Sequence, residues 1–148
     1  MPPRVDFYVS GDAGEAARLR LACRVTEKAY LAKQKVVCYS DDPALLPRLD
    51  ELLWTFGDGS FVPHDTLTRD GDDSVAPVVL TTGPLPGGDF IDAQASVLIN
   101  LATAVPPFVD RFARVAEFLD ARPEVRAAGR ERFKTYRARQ IEPQTHNV

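Results

Sequence analysis

Two almost unbroken apolar runs, Pro77 to Thr82 and Ser96 to Leu101, constrain this chain more than anything else in it. Each has the length of a strand, and neither alternates with polar residues, so each needs apolar cover on both faces. The interior of a parallel sheet with helices packed on either side meets that need. Val5 to Val9 and Val36 to Tyr39 are shorter runs of the same kind. Phe61-Val62-Pro63 is a short extended piece, and its proline suits an edge position or a strand end. Helical patterns lie between these runs. Leu19, Ala22, Cys23, Ala29 and Tyr30 form one stripe, and Leu45, Leu49, Leu52 and Leu53 form another behind the cap Asp41-Asp42-Pro43. Pro106-Pro107 is read as opening a helix that carries Phe108, Phe112, Val115 and Leu119, and Pro123 as starting a further helix. Five strands interleaved with helices predict an α/β fold with a mostly parallel sheet and helices on both faces.

The chain has 148 residues, about one domain. Residues 1–140 are expected to form a single α/β domain, with 141–148 a flexible tail. Arg69 to Ser74 reads as an acidic, mobile loop. Met1-Pro2-Pro3-Arg4-Val5-Asp6 leads into a strand without an apolar leader, and no segment approaches the roughly 18 apolar residues of a membrane span. A cytoplasmic location is expected. Cys23 and Cys38 fall in core patterns, as reduced thiols do.

Signals of catalysis are thin. Gly11-Asp12-Ala13-Gly14 follows the first strand, where a phosphate loop would sit, but it has neither the G-x-G-x-x-G spacing nor a Gly-Lys-Ser/Thr ending. No phosphate loop is therefore expected. His64 beside Asp65 is a weak acid/base candidate, and a structural role for this histidine is the simpler reading. Asp41 and Asp42 are better explained as a helix cap than as metal ligands. No G-x-S-x-G elbow is present. No catalytic residue, metal or cofactor is expected.

Charge is distributed unevenly. Residues 1–121 hold 18 acids against 11 Lys and Arg, whereas residues 122–139 hold Glu124 and Glu131 against seven cations. On a helix, Arg126, Arg130, Phe133 and Arg137 share one face, with Lys134 at its edge. Three readings fit such a face. It could hold a phosphate backbone with a ring free for base stacking. It could hold an acidic peptide, with Arg forks on carboxylates. Or it could be a solvated helix whose Arg stems cover apolar surface.

Phe7-Tyr8, Leu49-Asp50-Glu51-Leu52-Leu53-Trp54, Ser60-Phe61-Val62-Pro63-His64, Pro77-Val78 and Arg130-Glu131-Arg132-Phe133-Lys134-Thr135-Tyr136-Arg137 occur in this order. Together they resemble the chi subunit family of the bacterial DNA polymerase III holoenzyme, from about residue 5 to residue 139. The resemblance implies a nucleotide-binding-like, or Rossmann-like, topology without a phosphate loop, and a non-enzymatic replisome adaptor. Such a protein binds the acidic, phenylalanine-ended C-terminal tail of single-stranded DNA-binding protein, and it binds the psi subunit, which links it to the clamp loader complex. It touches DNA only indirectly. Carried over by position, Arg130 would fork the tail's terminal carboxylate, Phe61, Leu119 and Phe133 would enclose its last ring, and Arg126 would attract the upstream aspartates. Lys134 and Arg137 would add a longer-range field, screened beyond about 8 to 10 Å at physiological salt. Trp54 would anchor psi. The family can carry Tyr where this chain has Phe133 and Lys where it has Arg126.

Two other functions remain as alternatives. Direct binding of single-stranded nucleic acid is opposed by the acidic charge over residues 1–121. A small nucleotide-using enzyme is opposed by the missing phosphate loop.

Overall fold

The structure is a computed structural model that describes every residue except 1, 60, 68, 70 and 72–75. The acidic loop expected at 69–74 therefore lies outside the described residues, apart from Arg69 and Gly71.

Among the described residues, seven strands form one sheet: β1 (Arg4–Val9), β2 (Val36–Tyr39), β3 (His64–Thr66), β4 (Val78–Thr81), β5 (Val97–Asn100), β6 (Arg114–Leu119) and β7 (Gln144–Asn147). Their order is β3-β4-β2-β5-β6-β1-β7, and every pairing is parallel. Three helices cover it: α1 (Glu15–Leu31), α2 (Leu45–Thr55) and α3 (Pro123–Ala138). The α/β fold with a parallel sheet is the one that the apolar runs require, since all four residues of β4 and all four of β5 are buried.

Side chains alternate between the two faces of the sheet. Val36, Cys38, Val78, Leu80, Val97 and Ile99 meet the stripes of α1 and α2. Val5, Phe7, Val37, Val79, Leu98 and Val115 meet α3 and a connecting segment that contributes Phe90, Val109 and Phe112. Helices thus pack on both faces. Cys23 and Cys38 are free thiols in the first core, and burial pushes each up to about 12.

Two expectations are corrected. Residues 106–119 do not form a helix: a single 3₁₀ turn at Val109–Arg111 is followed by β6. Val115 through Leu119 are all buried, because β6 lies between β5 and β1 with cover on both faces. Its spacing therefore shows no alternation, and the helical register of Phe108, Phe112, Val115 and Leu119 is a coincidence. The tail after Ile141 is not a loose end. Ile141 and Pro143 are buried, and β7 pairs with β1 from Asp6↔Gln144 to Val9↔Asn147. The sequence Gln-Thr-His-Asn lacks an apolar signal because β7 is an edge strand. It is held by ladder bonds, by the bond of His146 to buried Asp6 (2.8 Å) and by the stacking of His146 on Tyr8.

Candidate functional site

Pro123 at the first helical position sets the start of α3, and Glu124 suits its first turn. The helix lies across β1 and β6 through an internal anchor. Glu117, fully buried on β6, accepts hydrogen bonds from Arg132 Nε (2.8 Å), Tyr136 Oη (2.6 Å) and Asn100 Nδ2 (2.8 Å). Burial pushes the Glu117 carboxyl up, and the charge of Arg132 and these three donors oppose that shift. Arg132 is 4% exposed and also donates to the Thr103 carbonyl. One of the cations in the basic segment is therefore a core residue.

This anchor brings Gly129 against β6, where a Cβ would meet Leu119 Cδ2 at 2.5 Å. The close approach leaves a small open cavity of about 90 Å³ among α3, β1, β6 and β7, lined by Phe7, Val9, Leu119, Gly129, Arg130, Phe133 and Thr145. Its walls are mostly apolar, with Phe133 packed on Phe7 at 5.4 Å between ring centroids. Arg130 is exposed at the rim and makes no hydrogen bond or ion pair among the described residues. An apolar hollow with one free guanidinium beside it can take a single ring and fork an adjacent carboxylate. It is well below the roughly 300 Å³ of a cofactor-sized pocket.

Of the residues carried over from the resemblance, Leu119, Arg130 and Phe133 come together here. Arg126, one turn earlier, is committed to the chain itself, donating to the carbonyls of Asp120 and Ser10 at 3.2 Å each. Lys134 pairs with Glu131 (3.4 Å) and Arg137 with Glu142 (3.2 Å), both on the surface.

Phe61 does not join them. It precedes β3, the strand at the other edge of the sheet, five strand spacings from β1, or about 24 Å at the usual 4.8 Å each. There Phe61 (62% exposed) and Trp54 (44% exposed) lie with ring centroids 5.3 Å apart. Trp54 also sits over His64 at 4.3 Å. His64 is fixed by contacts of 2.7 Å to Asp50 Oδ1 and to the Val62 carbonyl, a structural role. The expectation that Phe61 walls the same pocket as Leu119 and Phe133 fails because a short helix, a loop and the far strand present it elsewhere.

Phe7, Val9, Gly129 and Thr145 escaped the sequence reading as site residues. Gly129 carried a usable signal: a glycine inside a helix is unfavourable and marks close packing. Thr145 carried none, lying in a tail without an apolar pattern.

The place where a phosphate would meet the N-terminus of α1 is taken by a carboxylate of the chain. Asp120 Oδ1 accepts from the Gly14 amide (3.3 Å) and the Arg122 amide (2.9 Å), and Arg122 Nη2 reaches Oδ2 at 2.8 Å. Burial alone would raise Asp120, but these bonds outweigh it and hold the carboxyl below its ordinary range. An anion arriving at this helix end would have to displace a fixed one. Among the described residues no helix is long and apolar enough to cross a membrane.

Residues 1–144 match the family described as DNA polymerase III chi subunit, HolC. The chain is similar to the DNA polymerase III subunit chi of Pseudomonas aeruginosa, 39% identical over 145 residues, which covers 98% of this chain and 96% of that one. It is 29% identical to the subunit chi of Escherichia coli K12 over 124 residues, covering 84% and 81% of the two chains. With the subunit chi of Haemophilus influenzae the figure is 24% over 148 residues, or 100% and 99%.

Proposed function

The chain belongs to the DNA polymerase III chi subunit family, and from that premise we propose that it is a non-catalytic adaptor of the replisome, acting in the cytoplasm. In this reading the cavity beside α3 receives the last ring of the acidic C-terminal tail of single-stranded DNA-binding protein, and Arg130 forks the terminal carboxylate. The observation that carries it is the pairing of an apolar, ring-sized hollow with a cation left unpaired among the described residues. The Trp54–Phe61 surface at the opposite edge is the site for psi, because two exposed, touching aromatic rings are the usual anchors of a protein interface.

Calorimetry with the tail peptide tests the first half. Arg130→Ala should raise Kd about 10- to 100-fold, the worth of a charge-assisted contact of about 1.5–3 kcal/mol. The same peptide without its final Phe should not bind. Equal affinity of both peptides, or an unchanged Kd in the variant, would remove the reading. Capture of psi on wild-type and Trp54→Ala protein tests the second half, and undiminished capture by the variant would refute it.

A further inference from the structure

The basic segment of the sequence offers fewer free charges than its composition suggests. Arg122, Arg126, Arg132, Lys134 and Arg137 are each engaged within the chain. Arg126 keeps its charge but commits donors to the carbonyls of Asp120 and Ser10, so a further cationic surface would strengthen the hold on the acidic stretch upstream of a docked terminal ring.

Such a surface exists on α1. Arg20, Arg24 and Lys28 are spaced four residues apart on one face, all are exposed, and none has a side-chain hydrogen bond or ion pair among the described residues. They border two adjoining cavities of about 270 and 300 Å³ that share Leu21, Arg24 and Val148. Asp12 is the one acid among the residues lining them. Leu21, Val25 and Ala29 supply apolar wall beneath the charges. Successive cations rise about 6 Å along the helix, close to the roughly 6.6 Å between alternate side chains of an extended peptide.

This groove and the α3 cavity flank the same ribbon of two strands. Thr145 of β7 lines the α3 cavity, whereas Val148 just beyond β7 lines both α1 cavities. Among the described residues β7 pairs with β1 alone, so its outer edge presents open backbone groups to an extended chain. A peptide leaving the α3 cavity has one strand to pass around, and about six extended residues span roughly 20 Å.

We infer that Arg20, Arg24 and Lys28 read the acidic stretch of the docked peptide after it rounds the open edge of β7. The inference rests on the proposed role of the α3 cavity as anchor for the terminal ring. The occupant is an extended peptide with acids at alternate positions.

Calorimetry at physiological salt with two peptides separates this inference from the reading it rests on. One is an acidic six-residue peptide ended by phenylalanine; the other carries six further residues upstream, acidic at every second position. Wild-type protein should bind the longer peptide roughly tenfold more tightly, as three exposed ion pairs allow. The charge-reversed Arg20→Glu/Arg24→Glu/Lys28→Glu protein, its fold checked by circular dichroism, should bind the short peptide unchanged and lose the gain. Backbone amide resonances of residues 144–147 should move more with the longer peptide. A gain that survives in the triple variant, or no gain at all, overturns the α1 row while leaving the cavity reading intact. Failure of both peptides to bind overturns both. Oligo-thymidine that binds wild type, displaces the longer peptide and fails on the triple variant would assign the row to a phosphate backbone, and so overturn it too.

Discussion

Gly129 sets the shape of the cavity. A Cβ there would lie 2.5 and 2.8 Å from the two terminal carbons of Leu119, so Leu119 must turn, and the open space beside it is the hollow itself. In Gly129→Ala the gain of about 0.5–1 kcal/mol from removing a helical glycine offsets the strain. Stability in urea should stay within about 1 kcal/mol of wild type while tail-peptide affinity falls at least tenfold; retained affinity would mean that Leu119 turns away from the hollow. Glu117 gives the opposite case. Glu117→Gln leaves Arg132 charged and buried without its counter-ion, which should cost about 3–5 kcal/mol by urea denaturation. Loss below about 1 kcal/mol would show that the Thr103 carbonyl and the substituted amide oxygen suffice to hold the guanidinium. Legibility differed between these residues. Arg130 was read from the sequence as a site residue, whereas the signal of the mid-helix glycine went unused. That Arg132 and Tyr136 close on Glu117, 15 and 19 residues away, could not be read from local spacing, because the meeting depends on α3 lying over β6.

At the level of elements, β2, β4 and β5 could be read directly, since a strand covered on both faces appears as a continuous apolar run. The same physics hid β6. An acid at position 117 broke the run, and without alternation a buried strand and a helix segment look alike. The edge strand β7 was hidden for the converse reason, since neither side of it needs to be apolar. Its contribution can be measured. Removing residues 142–148 deletes four ladder positions, the cover on Tyr8, the His146 partner of Asp6 and the Thr145 wall of the cavity. Burial alone would raise the Asp6 carboxyl, but His146, Arg4 and Arg114 together hold it below its ordinary value, so deletion also removes a charge partner. The truncated protein should unfold at lower urea concentration and bind the tail peptide more weakly. Identical unfolding midpoints would mean that β7 adds nothing to the sheet.

Across the whole molecule, the two candidate surfaces stand at opposite edges of one rigid sheet, the α3 cavity by β1 and β7 and the Trp54–Phe61 pair by β3. Sites this far apart with no shared partner act independently. Trp54→Ala should therefore leave the tail-peptide Kd within about twofold of wild type while abolishing psi capture. A larger change in tail affinity would reveal coupling through the sheet. The strand order has a further consequence, for how the chain is made. Among the described residues, strand β1 has no neighbour in the sheet except β6 and β7, so its first partner lies more than 100 residues downstream, from the pairing Arg4↔Arg114 onward. As the polypeptide leaves the ribosome, β1 must wait, unpaired in the sheet, until β6 has been synthesised. Such long-range closure makes folding slow, and it leaves nascent β1 dependent on shielding until β6 and β7 arrive.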